Sequence, residues 1–327
     1  MNQRLFGKNN INISDIGLGC WQIGADWGSV DKTTAVQILK TAVDAGITFF
    51  DTADVYGNGR SEEIIGEYFN VKHESIFIAT KIGRTGDLFP NNYTFNAIEQ
   101  AIDSSLKRLQ VDALDLVQLH CIPTEITEKG EVFDWLRQLQ EKGKIKLFGA
   151  SVESMDEAEM LIDTVPDLYS LQIIFNILRQ KPIKTIFNKA KKNNIGIIAR
   201  VPLASGLLTG KLNHESSFPN NDHRNYNKDG EYFNVGETFA GLPFHYGIEI
   251  MEELKKLVPP GITLPQMALR WILDHDAVSV VIPGASKTDQ VIGNSEISEL
   301  KPLDETVHRQ LEEFYEKLAH KYIRGPY

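Results

Sequence analysis

Several things are scarce in this sequence, and each scarcity excludes something. There are two cysteines, Cys20 and Cys121, far apart in the chain. That is too few for a disulfide framework, and reduced thiols fit a cytoplasmic protein. No apolar run approaches the roughly 20 residues of a membrane-spanning helix. The opening MNQRLFGKNN has no apolar core of a signal peptide. Positive charge is short: 34 Lys and Arg stand against 44 Asp and Glu, a formal net charge of -10. This argues against broad nucleic-acid binding, which needs a basic footprint, although a few local cations still suffice to hold one phosphate. A glycine-rich dinucleotide turn is also missing. The first strand runs into GLGCWQIG, which is not GxGxxG opening a helix.

What the sequence does have is alternation. Residues 3–13 read as a small hairpin around Asn9-Asn10, and residues 15–19 as a short strand. Asp31 caps a helix with Val36, Leu39 and Val43 at helical spacing, ended by Gly46. The apolar run 47–50 is a buried strand that breaks into Asp51, Thr52, Asp54 and Tyr56. Ser61, followed by Glu62 and Glu63, reads as the N-cap of the next helix. Strands then fall at 75–81, 114–120, 145–151, 168–172, 195–201 and 278–282, with helices at 94–109, 132–141, 155–162, 183–192 and 288–295 between and after them. Eight strands, each followed by a helix, predict a parallel sheet closed as an α/β (β/α)8 TIM barrel. No linker interrupts residues 1–327, so one domain is expected. The stretch 202–241 is long, polar and rich in Asn, Gly and aromatics, as a functional loop or lid would be. Two helices, 244–257 and 263–275, follow it, and a C-terminal helix, 304–320, precedes a polar tail.

In such a barrel the C-terminal strand ends share one rim, where sites are built. Strand two ends in Asp51 with Tyr56 close behind, strand three in Lys81, and strand four in His120. Singly, each has an ordinary reading: a turn acid, a packing phenol, a solvated lysine, a structural histidine. Together on consecutive strands they suit proton transfer to a carbonyl oxygen. A free tyrosine titrates near pH ~10. A neighbouring ammonium favours phenolate, so Lys81 is expected to lower the Tyr56 pKa, with Asp51 holding Lys81 charged. His120 would orient or polarise the carbonyl, and a separate group must supply a hydride. A metal-dependent hydrolase would need more His and carboxylate ligands than Asp51 and His120, so no metal site is expected.

These residues lie within motifs spread over nearly the whole chain: IGLGCWQIG, GITFFDTADVYGNGRSEEIIG, ATKIG, SLKRLQVDALDLVQLH, GKIKLFGAS, PLASGLLTGK, ALRWIL and IPGASKTDQ. In this combination the chain resembles the aldo-keto reductases, and most of all the bacterial general aldo/keto reductases related to potassium-channel β-subunits. The resemblance implies that Asp51, Tyr56, Lys81 and His120 match the catalytic tetrad, with Tyr56 the acid in reduction and the base in oxidation. It implies NADPH/NADP+ as cofactor, with NADH the other candidate, and a small-molecule carbonyl or alcohol substrate, sugars and polyols included. The channel relatives imply a second reading, a nucleotide-sensing regulatory subunit with little turnover. No membrane or nucleic-acid partner is expected, and oligomeric state is not legible.

The resemblance also carries over cofactor positions. Gly19 and Trp21 match contacts at the nicotinamide end, and Ser151 and Gln172 match residues that hold the carboxamide. Arg200 stands where many members stack a Tyr on the nicotinamide, which a guanidinium plane can also do. Pro202, Leu203, Ser205, Gly206, Leu207 and Lys211 match the segment beside the pyrophosphate. Gly284, Ser286 and Lys287, with Gln290 and Asn294 further along, match the grip on the adenosine phosphate. There are three departures. The GxSN motif reads Gly149-Ala150-Ser151-Val152, without its Asn. Gln290 replaces an Arg found on the 2′-phosphate, leaving NADPH preference to Ser286 and Lys287. Cys121 replaces a frequent Trp and would widen the substrate pocket, itself reading as a small buried hydrophobe rather than a redox group.

Overall fold

The computed structural model describes residues 1–8, 11–24, 30–72 and 76–327. Strands β1 (Gln3–Phe6) and β2 (Ile11–Ser14) pair antiparallel as the expected hairpin. Its Asn9-Asn10 turn lies outside the described residues, as does Ser75, the expected start of a later strand. Eight parallel strands follow: β3 (Leu18–Gly19), β4 (Phe49–Asp51), β5 (Phe77–Ile82), β6 (Leu114–His120), β7 (Ile145–Ser151), β8 (Ser170–Ile174), β9 (Gly196–Arg200) and β10 (Val278–Val281). They pair in sequence order. Parallel bridges Ile16–Val281 and Gly19–Gly284 join the first strand to the last. The Gly17 N–H donates to the Val281 carbonyl at 2.8 Å, and the Val281 N–H to the Asp15 carbonyl at 3.0 Å. This is a (β/α)8 barrel with an N-terminal hairpin, as the alternation predicts.

Because side chains alternate along a strand, each barrel strand feeds two cores. Inward positions are Phe49 of β4, Phe77 and Ala79 of β5, Leu116 of β6, Ile198 of β9 and Val280 of β10, which cluster with Phe6 and Ile13 of the hairpin. Phe6 lies 5.5 Å from the rings of Phe49 and Phe77 and 5.3 Å from Tyr169, edge to face in each case. The hairpin thereby plugs the N-terminal mouth with aromatic surface. Outward positions such as Phe50, Val117, Leu119, Phe148, Ile173 and Ile197 belong to a larger core beneath the helices.

The helices mostly follow their sequence signals. Asp31 caps Lys32–Asp44 by accepting from the Thr34 N–H, and Thr94 caps Phe95–Leu109 by accepting from Ala97. Others differ. The expected 183–192 helix is two short ones, Lys181–Lys184 and Phe187–Lys192, broken at Thr185 and Ile186. A short helix, Thr124–Lys129, precedes Glu131–Glu141 and ends in left-handed Gly130. Ser61 is not an N-cap but sits in the first turn of Arg60–Lys72. Its hydroxyl donates to the Cys20 carbonyl and accepts from Thr52 Oγ1, both at 2.9 Å, tying helix to rim. The 204–241 stretch is built from short 3-10 turns and one four-residue helix. The C-terminal tail is not a loose polar end. The Tyr327 hydroxyl meets the Tyr315 hydroxyl at 2.5 Å, and Arg179 stacks on the Tyr327 ring at 4.2 Å. Among the described residues no helix is long and apolar enough to cross a membrane.

Candidate active site

The inward columns change character near their C-terminal ends. Asp51 ends β4, Lys81 lies one residue before the end of β5, and His120 ends β6. After β4 the chain turns through left-handed Gly57 (φ 60°). A Cβ there would lie 2.1 Å from the Gly24 carbonyl oxygen, so only glycine fits. This turn brings Tyr56 back over the strand ends. The fully buried Lys81 ammonium donates to Asp51 Oδ2 at 2.6 Å, the Thr52 carbonyl at 2.9 Å and the Tyr56 hydroxyl at 3.1 Å. All three of its donors are thus used. Asp51 Oδ1 accepts from the Gln172 amide at 2.6 Å and from the Gln118 amide at 3.4 Å. The Tyr56 ring stands edge to face with His120 at 6.0 Å and stacks on Trp21 at 5.6 Å.

The electrostatics correct one expectation. Burial pushes the Tyr56 phenol up to about 12, outweighing Lys81, which acts in the lowering direction. The group is a neutral phenol, a proton donor held against a cation. Burial also opposes the Lys81 charge, but Asp51 and then Tyr56 outweigh it and raise its pKa. His120 is driven well below its usual value by burial, then by Lys81, Arg84 and Arg200, so the imidazole is neutral. Burial raises the Cys121 thiol to about 11 and also raises Cys20, so both stay protonated.

Beside Tyr56 opens a cavity of about 380 Å³. Gly19, Trp21, Asp51, Tyr56, Gln172 and Arg200 line it. Pro202, Leu203, Ser205, Gly206 and Lys211 also line it, as do Ser286, Gln290 and Gly284, the last bridged to Gly19. A Cβ on Gly284 would strike the Gln22 side chain. The left-handed, β-branched Val201 (φ 54°) and then Ala204 and Ser205 bend the chain across the rim. Such conformations cost roughly 1–3 kcal/mol each and persist only where the surroundings impose them. The remaining expected residues lie off the cavity wall. Leu207 is buried in the outer core. Ser151 ends β7 behind Cys121, whose thiol donates to its hydroxyl at 3.5 Å. Lys287 is exposed and Asn294 half-buried on the helix Thr288–Ser295. Gln290 uses its carbonyl oxygen locally, accepting from the Ser286 N–H at 2.7 Å and the Lys287 N–H at 3.2 Å. Arg200 donates to the Val152 carbonyl at 3.1 Å and faces Glu237 at 3.3 Å.

Sequence reasoning missed Gln118, Arg84, Arg224 and Glu237. Gln118 precedes His120 by two positions and therefore shares its inward face. That signal was readable. Arg84 lies just past ATKIG and was equally within reach. Arg224 and Glu237 lie in the irregular 202–241 segment, where no periodicity points a side chain.

Comparison with known proteins identifies the family. The model of the aldo/keto reductase family matches residues 15–316. The chain is 32% identical over 296 residues to the aldo-keto reductase YhdN of Bacillus subtilis, covering 88% of this chain and 86% of that protein. It is 30% identical over 309 residues to the aldo-keto reductase yakc [NADP(+)] of Schizosaccharomyces pombe, covering 91% and 87%. The solved structure of the glycerol dehydrogenase AKR11B4 from Gluconobacter oxydans superposes with a TM-score of 0.78 at 29% identity, covering 99% of this chain and 97% of that one. The chain belongs to the aldo/keto reductase family, a family of oxidoreductases.

Proposed function

We propose that the protein is an NADPH-dependent oxidoreductase that reduces aldehydes or ketones, or oxidises the corresponding alcohols, sugars or polyols, with Tyr56 as proton donor and acceptor. The observation that carries this is the Lys81 ammonium bridging Asp51 Oδ2 and the Tyr56 hydroxyl at 2.6 and 3.1 Å. The coenzyme supplies or accepts the hydride. The carbonyl oxygen, as it gains the electron pair, takes the Tyr56 proton. Lys81 stabilises the phenolate left behind, and Asp51 keeps Lys81 charged and in place. Neutral His120 offers a ring N–H to the same oxygen without competing as an acid. In oxidation each transfer reverses.

The cavity lining suits a dinucleotide. Arg200, Trp21 and Gln172 line it with Tyr56, Lys211 offers positive charge on its wall, and Ser286 lines it with exposed Lys287 next in the chain. Gln290 is occupied in capping, which leaves discrimination of a 2′-phosphate to Ser286 and Lys287. Two relatives support the reading by name: one is named as an NADP(+) aldo-keto reductase, and the other is a glycerol dehydrogenase. The same reading makes the chain one oxidoreductase domain working on a small molecule in the cytoplasm.

Aldehyde-dependent loss of NADPH absorbance tests it. The Tyr56→Phe variant should lose turnover by about 10²–10⁴-fold while still binding cofactor. Unchanged turnover would remove Tyr56 from the chemistry, and equal affinity for NADH and NADPH would remove the role given to Ser286 and Lys287.

A further inference from the structure

Three cations crowd His120, and the proton relay uses only Lys81. Arg84 lies just beyond β5, and Arg200 ends β9. Both face one carboxylate oxygen, Glu237 Oε1, at 3.6 and 3.3 Å. These distances are long beside the 2.6 Å of the buried Lys81–Asp51 and Arg108–Glu62 pairs. Glu237 Oε1 and Arg200 Nε are buried and have no hydrogen-bond partner among the described residues. A carboxylate thus sits between two guanidiniums without making the bidentate contacts that Arg and carboxylate normally form.

The two sides of this cluster are anchored differently. The arginines are fixed by barrel strands. Arg84 is further held by Glu153 at 2.9 Å, and Arg200 by the Val152 carbonyl at 3.1 Å. Glu237 comes from a single 3-10 turn, Val235–Glu237, of the long segment over the rim. Burial pushes its carboxyl up, but Arg200 and then Arg84 hold it below the usual value, so it is an anion. It lines the catalytic cavity with Tyr56 and Arg200. Arg84 lines a second cavity, of about 190 Å³, with Cys121 and Glu153. Ligand atoms of Cys121, Glu153 and Glu237 lie within 4.8 Å of one another, but the two guanidiniums already supply the positive charge a metal ion would bring.

We propose that Arg84 and Arg200 form an anion-binding subsite for the substrate, that Glu237 holds its place in the free protein, and that the preferred substrates are small carbonyl compounds bearing a carboxylate or phosphate. The substrate anion displaces Glu237 and takes the fork contacts that Glu237 does not complete. This rests on the carbonyl-reduction reading and adds a substrate class to it.

The test compares matched substrates: succinic semialdehyde against butanal, and glycolaldehyde phosphate against glycolaldehyde. In the wild-type protein kcat/KM should favour the charged member of each pair at least tenfold. Arg84→Met should lower that ratio at least tenfold. Glu237→Gln should raise it, and this variant keeps the test decisive if Arg84→Met fails to fold. A larger carboxylate preference than phosphate preference, or the reverse, identifies which anion the site takes. Ratios within twofold of wild type in both variants, or charged and neutral substrates falling together, would overturn the subsite. Succinate binding, followed by the fluorescence of Trp21 beside the site, separates the two readings. Binding that Arg84→Met abolishes supports the subsite even if no aldehyde is reduced. Turnover of butanal without any succinate binding keeps the reductase and removes the subsite.

Discussion

The two mouths of this barrel are closed by opposite chemistries carried on the same strands. On β5, Phe77 packs in the apolar plug while Lys81, four positions on and facing the same way, is the buried ammonium. On β6, Leu116 lies in the plug and His120 at the rim; on β4, Phe49 and Asp51 divide the same roles. At both ends the inward side chains are largely buried. At the N-terminal mouth burial is favourable in itself, because the surface is hydrocarbon. At the rim burial is unfavourable for every charge, and only mutual pairing sustains it. The plug is therefore a stability device, and the rim a set of polar groups that sustain one another's burial, with Tyr56 and His120 held neutral by it. Substitutions that move one end toward the character of the other test this division.

The largest effect is expected from Lys81→Met, which gives the rim a plug-like side chain of similar length. Turnover should fall by about 10³-fold or more, as the phenolate loses its cation. Stability should fall by about 3–5 kcal/mol, because Asp51 would be left buried without its ammonium. Urea unfolding at pH 7 measures the second loss. Adding Asp51→Asn should restore most of the stability and none of the turnover. If the single variant keeps wild-type stability, the pair is not what sustains burial at the rim.

The converse substitution is Phe6→Ala at the plug. It removes a ring that meets Phe49, Phe77 and Tyr169. The expected loss is about 3–5 kcal/mol of stability. Below the shifted melting temperature kcat should match wild type. A fall in kcat with stability retained would mean that the hairpin communicates with the rim.

This division explains what could be read from the sequence. Apolar runs bounded by turn residues placed the eight strands, with β6 and β7 matching 114–120 and 145–151 at both ends. Polar residues at strand ends pointed to Asp51, Lys81 and His120 only in combination, because consecutive strands of a parallel barrel bring their ends to one rim. Parity along the strand could also have added Gln118. It was the balance of forces that the sequence hid. An adjacent lysine suggested a lowered Tyr56 pKa, but only three-dimensional burial shows that desolvation outweighs it. Nor could pattern place Glu237, because the segment that carries it turns through left-handed Val201, Ala204 and Ser205, none of them a residue that favours that conformation. Gln290 looked like a weakened phosphate contact, and only geometry shows it engaged in capping Ser286 and Lys287.

Asp54 is the exception that sharpens the comparison, since it is a rim-side charge without a partner. It is 4% exposed, and neither carboxylate oxygen accepts a hydrogen bond among the described residues. Burial, with Glu62 adding to it, raises its pKa to about 7, while Arg108 opposes. Its unfolded value is near 3.9. The folded protein therefore holds a proton that the unfolded chain releases, and the folded pKa is the higher of the two. The resulting stabilisation is full below about pH 4 and is lost as pH rises through about 7. Above that, an ionised Asp54 is carried at a cost, whereas Asp54→Asn carries none. The variant should match wild type within experimental error near pH 4 and exceed it by about 4 kcal/mol at pH 8. Glu157, also raised to about 7 by burial, titrates in both proteins, so the difference between their urea-unfolding profiles isolates Asp54. A difference that does not change between pH 4 and 8 would show that Asp54 is ionised and paired, and that the rule of paired charges at the rim has no exception there.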